Sequence, residues 1–342
     1  MLLDQLQNRF SDEIDGAIEA LLREHSPFVA DMAGYFFGWL DENFQPVTDE
    51  VNRGKRLRPA LTLLVCEAVS GDYRPALPLA VVVELIHNYS LIHDDIADRD
   101  EARRGRPTVW KLWGDGIAIN TGSVLYTLAY EVVAKLKLPP EKVLAILDIV
   151  VKTSLRLSEG QHWDITYERR GDVTQDMYLN MIDGKTAALI EAATWLGALA
   201  GTDSPDLIDA YRQFGRHLGL AFQIQDDYLN IWVDTSESGK PQYSDLRNKK
   251  KSLPVTYALG TLSGDTQSRL AALYADADHD MSDDEIAFTV DALAQAGAQV
   301  YTGELALHHT REALGWLDAT GLENEAHETI RAVSRALTGR TV

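Results

Sequence analysis

Two groups of aspartates are the residues of this chain best suited to chemistry. Asp94, Asp95 and Asp98 end an apolar segment that begins near residue 80, and Asp226 and Asp227 end a second one. On a helix, residues four positions apart share a face, so Asp94 and Asp98 would project together. Carboxylates on neighbouring turns repel each other, and one such group alone is often a solvated helix end. Two similar groups, each closing an apolar segment, favour a shared function over chance.

The oxygen atoms of these side chains suit a metal site. Mg²⁺ is bound in proteins through a few carboxylates together with waters and substrate phosphates. In the second group, Gln223, Asp226 and Asn230 share a helix face, which Asp234 extends if the helix continues. Two carboxylate clusters that face each other would hold several Mg²⁺ ions on a diphosphate.

Short basic groups supply the complementary charge. Each of them alone is typical of a solvated surface. Arginine is suited to forked phosphate contacts, and lysine acts as a point charge. Together with the acidic groups they predict one diphosphate site or two. The four groups are Gly54-Lys55-Arg56-Leu57-Arg58-Pro59, Arg103-Arg104-Gly105-Arg106-Pro107-Thr108, Gly184-Lys185-Thr186 and Lys249-Lys250-Lys251-Ser252-Leu253-Pro254.

Helices must position these groups, because helical periodicity recurs along the chain and no strand-rich region is evident. Between residues 206 and 232, apolar side chains recur at spacings of three and four. Ser204-Pro205 predicts the start of that helix. Further along, Ser282 and Glu285 predict a capping box at the start of another helix.

The breaks between the predicted helices are short. They are expected at Pro139-Pro140, at residues 201–205 and at residues 262–267. None is long enough for a domain linker, although the length of 342 residues alone would allow two domains. We therefore expect a single all-α domain over residues 1–342, folded as a multi-helix bundle.

Composition and charge narrow the function classes. The net charge of -20 argues against general nucleic-acid binding, which needs a basic face. The longest apolar stretch, residues 77–86, is interrupted by Glu84 and is shorter than the roughly 20 residues that span a bilayer, so no membrane span is expected. The N-terminus has no signal-peptide pattern, and Cys66 is the single cysteine. These features predict a cytoplasmic protein with a buried thiol.

In combination, the motifs resemble those of the trans-type isoprenyl diphosphate synthases, the polyprenyl synthetase family, which includes geranylgeranyl and farnesyl diphosphate synthases. The resemblance covers about residues 50–255, and the C-terminal helices expected over about residues 262–342 add only helical character. The matching motifs, in the family's order, are residues 54–59, His87 to Asp98 with Arg103-Arg104-Gly105, Glu159-Gly160-Gln161 with Asp164, Lys185-Thr186, Gln223 to Asp227, and Gly239-Lys240 through Asp245 to Pro254.

The resemblance implies a bundle of the isoprenoid synthase type around a central cavity, a homodimer, and Mg²⁺ as cofactor, with three ions per active site. Asp94, Asp98, Asp164 and Asp226 are then the metal ligands. Asp95 and Asp227 act from the outer shell, where they fix metal-bound waters. The remaining implied roles concern the substrates. Arg103, Lys185, Lys240 and Lys250 hold the allylic diphosphate, Thr186 and Gln223 lie near the reacting carbons, and Lys55, Arg58, His87 and Arg104 bind isopentenyl diphosphate.

The implied reaction is the condensation of isopentenyl diphosphate with an allylic diphosphate. Metal-assisted ionisation of the allylic C–O bond precedes attack by the double bond, and diphosphate is released. A class I terpene cyclase shares the fold and one aspartate motif, but it leaves the second-substrate residues unexplained. An inactive partner subunit is a third alternative, and such subunits typically lack the aspartates.

The resemblance also allows a prediction of product length, and the chain departs from the family pattern at two positions. Ser90 lies one turn below Asp94 and is small, and Tyr89 lies five residues below, about 7.5 Å along the axis. An aromatic residue at that position resembles some geranylgeranyl diphosphate synthases, so we predict a C20 product, with farnesyl (C15) or longer products as alternatives. Asn230 replaces a common third aspartate while keeping an oxygen, and Lys249 replaces a common glycine.

Other histidines receive plainer interpretations. His93, beside the first acidic group, either orients Asp94 or packs in the core. His308 and His309 have no carboxylate at an obvious ligand spacing and are interpreted as surface or packing residues.

Overall fold

A computed structural model describes residues 2–47, 54–233, 242–275 and 281–339. These residues form helices almost throughout, with one short β-hairpin, so the predicted all-α class is confirmed. The α-helices are α1 Leu2–Arg23, α2 Pro27–Phe37, α3 Leu57–Ser70, α4 Leu77–Ala97, α5 Val109–Trp113, α6 Asp115–Ala134, α7 Pro140–Tyr167, α8 Gln175–Ile182, α9 Ala188–Gly201, α10 Pro205–Trp232, α11 Ser244–Arg247, α12 Leu253–Thr261, α13 Gly264–Ala275, α14 Asp283–Ala296, α15 Ala298–Ala319 and α16 Glu325–Thr338.

Two predicted helix starts agree with the structure. The helix expected near residues 206–232 is α10, and the backbone oxygen of Ser204 accepts a hydrogen bond from its first turn. Ser282 and Glu285 form the complete capping box of α14. Of the expected breaks, the one after residue 261 is shorter than predicted, because α13 already begins at Gly264.

The chain forms two compact units, and each one combines three separate segments. Unit 1 contains residues 1–154, 192–211 and 320–333, and unit 2 contains residues 155–191, 212–319 and 334–342. Because the segments alternate along the chain, no single cut in the sequence separates the units. The single domain over residues 1–342 stays a prediction.

Unit 1 is built around α4, which carries the first acidic group at its C-terminal end. Its apolar residues are largely buried against α3 and α6. Gly122 of α6 allows the closest approach, since a Cβ atom there would lie 2.4 Å from Nε2 of His93. His93 also contacts the backbone oxygen of Ile119, which supports its interpretation as a packing residue.

Two helices, the α4 segment from Arg74 to Ala97 and α6, are long and apolar enough to cross a membrane by length and composition. Most of the α4 window is buried inside the protein, as expected for a core helix, while the α6 window is more exposed. Core helices of soluble proteins pass the same test, so the expected absence of a span stays a prediction.

A β-hairpin follows α4 and carries two of the predicted cations. Its strands, β1 Ala102–Arg103 and β2 Arg106–Pro107, pair in antiparallel register. Arg104 and Gly105 form the two-residue turn, with φ angles of 54° and 78°. Positive φ at both positions is typical of the type I′ turn that suits a tight hairpin. The turn therefore places Arg103 on the strand and Arg104 at the tip.

The hairpin is fastened to the N-terminal part of unit 1. The guanidinium of Arg106 donates to the backbone oxygens of Tyr35 and Leu40, at 3.1 and 2.6 Å. In return the hydroxyl of Tyr35 donates to the backbone oxygen of Pro107 at 2.7 Å. These bonds fix the position of the two cations beside the end of α4.

Unit 2 contains two clusters of buried apolar side chains. One forms around Tyr274, Leu270 and Leu293 and joins α12, α13 and α14. The other includes Tyr178 of α8 and Ile224 of α10, and it supports the walls of the site described below.

A π-helix, Asp183–Ala187, interrupts the helical path between α8 and α9 and contains Lys185 and Thr186. Single-turn π-helices are rare and often occur at functional sites. Arg156 braces it, donating from Nη2 to the carboxylate of Asp183 at 2.8 Å, and Arg216 binds the same carboxylate at 2.7 Å.

Two glycines allow α7 to cross this π-helix with the backbones in contact. A Cβ atom on Gly160 would lie 2.2 Å from the backbone nitrogen of Lys185. A Cβ atom on Gly184 would lie 2.6 Å from the backbone oxygen of Arg156. No side chain fits at either position, so the crossing fixes the distance between α7 and the segment that carries Lys185.

Gly160→Ala is expected to destabilise the protein by about 2 kcal/mol, because the added methyl group must push two backbones apart. The matched control is Gly315→Ala in α15, where a Cβ atom meets nothing within 4 Å. That change is expected to stabilise by about 0.5–1 kcal/mol, the usual gain of alanine over glycine in a helix. Urea unfolding followed by circular dichroism measures both. Equal stability of Gly160→Ala and the parent would contradict the close crossing.

Candidate functional site

A pocket of unit 2 lies among the second acidic group, the π-helix and the lysine-rich segment. Its volume is about 200 Å³. Many of the residues predicted from the sequence line it, and they come from α7, the π-helix, α10 and the segment after residue 244. The lining residues are Asp164, Tyr167, Glu168, Tyr178, Met181, Ile182, Lys185, Thr186, Gln223, Asp226, Asp227, Asp245, Lys250, Lys251 and Ser252.

The predicted metal ligand Asp164 and the predicted diphosphate lysine Lys185 form an ion pair at the wall of this pocket. Both side chains are about four-fifths buried. The two opposite charges compensate each other at a place where both are partly desolvated. Each group therefore already faces its opposite charge, at the place where the sequence predicts a metal ion and a phosphate.

Thr186 and Gln223, which are predicted to lie near the reacting carbons, are hydrogen-bonded to each other. The hydroxyl of Thr186 donates to Oε1 of Gln223 at 2.8 Å. The amide of Gln223 donates in turn to Oδ1 of Asp227 at 3.1 Å. This chain of hydrogen bonds fixes the orientation of both side chains relative to α10.

Asp227 is the most buried carboxylate of the pocket. Its Oδ2 accepts hydrogen bonds from the hydroxyl of Tyr178 and from the backbone N–H of Leu253, the latter at 3.0 Å. Burial raises the pKa of Asp227 to about 7, and the hydrogen bonds from Tyr178 and Leu253 oppose that rise. Asp227 thus joins α8, α10 and the start of α12, while its neighbour Asp226 lines the pocket.

Asn230 holds the polypeptide that carries Asp245. Its side-chain nitrogen donates to Oγ of Ser244 at 2.8 Å, and its Oδ1 accepts from the backbone N–H of Asp245 at 3.1 Å. Asp245 in turn lines the pocket. The amide therefore uses both its donor and its acceptor to hold this segment. Contact of Asn230 with a metal ion stays a prediction.

Lys240 and Asp234 lie outside the described residues, so their predicted roles are not tested by the structure.

The three lysines after Asn248 occupy different environments. Lys249 has a φ angle of 49°, in the left-handed region, which explains why glycine is common at this position of the family. Its side chain is buried and does not line the pocket, whereas Lys250 and Lys251 do. Lys250 is therefore well placed for the predicted phosphate contact.

In unit 1, the first acidic group ends α4. Asp98 is the C-cap, and its backbone N–H donates to the backbone oxygen of Asp94 at 2.8 Å. Asp95 is buried and binds Arg103, with Nε at 2.7 Å and Nη2 at 2.6 Å from the same carboxylate oxygen. Burial raises the pKa of Asp95, and Arg103 opposes that rise. The second oxygen of Asp95 is buried and has no partner among the described residues.

The residues predicted for isopentenyl diphosphate gather near the start of α3 and the middle of α4. Nη1 of Arg58 lies 3.3 Å from Nε2 of His87. Burial, together with Arg58 and Arg104, holds the pKa of His87 well below its usual value, so a neutral imidazole accepts this bond. Nε of Arg58 is buried without a hydrogen-bond partner among the described residues, and its binding of a diphosphate stays a prediction. Lys55 is exposed nearby in the chain.

Arg104 packs its guanidinium against the backbone of Gly54. A Cβ atom at Gly54 would lie 2.9 Å from Nη2 of Arg104, and the φ angle of Gly54 is 83°. Burial lowers the pKa of Arg104 to about 10, and Arg56 adds to this effect. Glycine thus begins this motif for two reasons, its positive φ and the closeness of an arginine.

Arg56 has a structural role that sequence reasoning missed. It is buried and forms ion pairs with Asp15 and Glu84, each at 2.9 Å. Glu84 also accepts a hydrogen bond from Asn88 at 2.7 Å. These interactions join α1, α3 and α4. Glu84, the acidic residue that interrupts the apolar stretch of α4, is therefore the partner of Arg56. The sequence alone predicted no pairing for either residue.

Tyr89 and Ser90 lie in the buried face of α4. The ring of Tyr89 packs edge-on against Tyr126 of α6, with centroids 4.8 Å apart. The hydroxyl of Tyr126 lies 2.7 Å from that of Tyr130. Ser90 is buried and donates to the backbone oxygen of His87. Three tyrosines thus form one contiguous aromatic group, of which the sequence analysis identified only Tyr89.

The donor set fits a magnesium ion that is held partly by substrate. No three carboxylate, imidazole or thiol groups among residues 2–47, 54–233, 242–275 and 281–339 converge closely enough to hold a metal ion by themselves. Asp164, Asp226 and Asp245 nevertheless line one pocket. Mg²⁺ usually takes one or two carboxylates and completes its shell with waters and phosphate oxygens. An ion of this kind, rather than one enclosed by protein ligands, matches the observed arrangement.

Eight further lining residues were not selected as site residues by the sequence analysis, among them Tyr178, Asp245 and Lys251. Tyr178 lies seven residues before Lys185, a helical spacing that would have placed both on one face. The run of three lysines gave no means of telling which of them reaches the pocket.

Comparison with known proteins agrees with these motifs. The family description "Polyprenyl synthetase" matches residues 39–291. The (2E,6E)-farnesyl diphosphate synthase of Mycobacterium tuberculosis is 39% identical over 316 residues, which cover 92% of this chain and 87% of that protein. The geranylgeranyl diphosphate synthase of Methanosarcina mazei is 36% identical over 318 residues, or 93% of this chain and 91% of that protein. A crystal structure of polyprenyl synthetase from Streptomyces coelicolor A3(2) matches with a TM-score of 0.89 at 36% identity, covering 98% of this chain and 99% of that one. The chain belongs to the polyprenyl synthetase family.

Proposed function

We propose that this chain is a chain-elongating prenyltransferase. It condenses isopentenyl diphosphate with an allylic diphosphate, releases diphosphate, and makes geranylgeranyl diphosphate (C20) as its main product. The observation that carries this function is the unit 2 pocket, in which Asp164 and Asp226 line one cavity with Lys185 and Lys250. The relatives named above as farnesyl and geranylgeranyl diphosphate synthases support the same activity.

The chemistry depends on where charge develops. When the allylic C–O bond breaks, the electron pair leaves with the diphosphate, and a carbocation remains. Mg²⁺ held by Asp94, Asp98, Asp164 and Asp226 would neutralise the charge of the leaving group. Lys185, Lys250 and Arg103 supply cations that are already fixed in position, and this preorganisation is the main source of transition-state stabilisation.

The second half of the reaction forms the new carbon–carbon bond. The double bond of isopentenyl diphosphate attacks the allylic carbon, and loss of a proton to the departing diphosphate restores a neutral alkene. Thr186 and Gln223, which are hydrogen-bonded to each other, would lie near the reacting carbons. Arg58 and Arg104, both half-buried cations, bind the diphosphate of the attacking substrate. No nucleophilic side chain takes part.

The direct test incubates the purified chain with Mg²⁺, isopentenyl diphosphate and each allylic primer from C5 to C15. We expect consumption of isopentenyl diphosphate and longer prenyl diphosphates by chromatography, with activity abolished by EDTA. Asp94→Asn is expected to lower turnover by more than about 100-fold, since loss of a metal ligand should exceed the loss of an outer-shell group. The matched control Asp72→Asn removes a carboxylate of unit 1 that pairs with neighbouring Arg74 on the surface, and should leave turnover unchanged.

Two outcomes would redirect this assignment. A hydrocarbon or terpene alcohol without any longer diphosphate would indicate a terpene cyclase. A folded parent chain that consumes no isopentenyl diphosphate with every primer would indicate an inactive partner subunit.

The product length follows from the aromatic group on α4 and α6. Tyr89 is buried five residues before Asp94 and rests on Tyr126, so its ring cannot turn away without losing this contact. A prenyl chain that grows along α4 would stop at this ring. Farnesyl diphosphate (C15) is the second candidate, because a relative 39% identical to this chain carries that name.

Tyr89→Ala is expected to lengthen the main product by at least one five-carbon unit, because it removes the ring from the end of the predicted channel. Tyr89→Phe keeps the ring and should keep the C20 product. Reversed-phase chromatography of the dephosphorylated prenyl alcohols measures the distribution. Identical products from Tyr89→Ala and the parent would show that the floor lies elsewhere, and a C15 product from the parent would replace the C20 assignment.

A homodimer is proposed for the same chain. Ile119 of α6 and Leu144 and Val151 of α7 are apolar side chains of unit 1 that remain 51%, 64% and 37% exposed. Leu144 and Val151 are seven residues apart and share a helix face. Exposed apolar residues grouped on helices suit burial against a second copy.

Leu144→Asp combined with Val151→Asp is expected to convert a dimer into a monomer of 38.0 kDa, because two buried charges would face the partner. Val300→Asp is the control, since Val300 is equally exposed on α15, at 64%. Sedimentation velocity measures the mass. A parent chain that sediments as a monomer would contradict the proposal.

A further inference from the structure

Two residues at the N-terminal end of α12 line the unit 2 pocket without a role in the proposed reaction. Lys251 and Ser252 follow the predicted phosphate lysine Lys250, and both are almost fully buried, with 6% and 4% exposure. Both belong to the lining of the same pocket as Asp226. A lysine that is buried to this extent normally has a charged partner.

The ammonium of Lys251 has only part of the partners it needs. Its Nζ donates one hydrogen bond, to the backbone oxygen of Glu168 at 2.8 Å. This is its one hydrogen bond among the described residues, and an ammonium group carries three N–H donors. Burial lowers the pKa of Lys251 to about 8, and Lys249 lowers it further while Glu168 opposes both effects. The protein therefore leaves this cation poorly compensated.

Ser252 provides a second, independent sign of a missing ligand. Its hydroxyl oxygen is buried and has no hydrogen-bond partner within the described part of the chain. Buried hydroxyl groups are nearly always hydrogen-bonded, to protein, water or ligand. The first backbone N–H of α12, on Leu253, is already bound by Asp227, so an anion in the pocket would meet side chains rather than the free end of the helix.

We propose that Lys251 and Ser252 form an additional phosphate subsite, which binds oxygen atoms of the diphosphate beside Lys250. This inference rests on the proposed function, because it assigns two more contacts to the diphosphate of that reaction. An incoming phosphate oxygen would take the remaining N–H groups of Lys251 and the hydroxyl of Ser252. The interaction is strong because the ammonium is already desolvated.

The test measures the affinity of inorganic diphosphate in the presence of Mg²⁺ by isothermal titration calorimetry on the full chain. Lys251→Gln keeps a donor for Glu168 but removes the charge, and it is expected to weaken binding by about 10-fold to 100-fold. Ser252→Ala is expected to weaken it by about 3-fold to 10-fold. Lys251→Arg should restore most of the affinity, since it keeps the charge.

The matched control is Arg247→Gln, which removes an exposed cation from the same segment. Arg247 pairs with Asp283 and does not line the pocket, so this variant should bind diphosphate as the parent does. Thermal unfolding of every variant separates loss of a contact from loss of the fold. If Lys251 were purely structural, its replacement by glutamine would lower the melting temperature, and Lys251→Arg would not rescue affinity.

Two results would overturn the subsite. Unchanged affinity of Lys251→Gln and Ser252→Ala, in an enzyme that still elongates prenyl chains, would refute it while leaving the proposed function intact. A parent chain that neither binds diphosphate nor consumes isopentenyl diphosphate would refute both.

Discussion

The desolvation of charge is the constraint on which the rest of this structure depends. A site for diphosphate and Mg²⁺ needs carboxylates and cations close together and partly removed from water, and unpaired charges in such a place are costly. The protein meets this cost with opposite charges that already touch. Asp164 binds Lys185 in unit 2, and Asp95 binds Arg103 in unit 1. Each pair joins a group predicted to serve the metal with a group predicted to serve the phosphate.

Such pairing depends on the backbone geometry of each unit. Lys185 can meet Asp164 only because α7 and the π-helix touch at Gly160 and Gly184, where no Cβ atom fits. Arg103 reaches Asp95 because a type I′ turn ends its hairpin. In both cases glycine lets the backbone place a long, flexible cation where its charge is needed. The ordering of that side chain then precedes substrate binding, and less entropy is lost when the substrate arrives.

How much of this could be predicted from the sequence depended on the range of the interactions. Capping at Ser282 and the start of α10 at Pro205 depend on neighbours within four residues, and the sequence shows them directly. The aspartate groups could be recognised because acidic residues are unusual at the end of apolar helices. The roles of Arg56 and Glu84 could not, since their pairing joins α3 to α4 and needs three-dimensional proximity.

A run of identical residues likewise does not show which of its members reaches the pocket. Lys249, Lys250 and Lys251 are chemically identical, yet only the second and third line the pocket, while Lys249 has a φ angle of 49° and is buried elsewhere. Asn230 is a similar case. Asn230 replaces a common aspartate, and a metal site that used it as a ligand would be weaker. In the fold, however, its amide donates to Ser244 and accepts from the backbone N–H of Asp245. The amide holds that segment with both its donor and its acceptor.

The net charge of -20 does not describe the charge distribution inside the pocket. Taken as an average over the chain, it argues against an anionic ligand, because a distant anion would be repelled. At short range a ligand interacts with the charges of the pocket itself, because salt screens interactions between exposed charges that are more than about 10 Å apart. Lys185, Lys250 and Lys251 are concentrated in one pocket, where carboxylates can bind Mg²⁺ and so change from repelling a phosphate to holding it. An acidic protein can therefore bind a diphosphate, provided that the metal ion accompanies it.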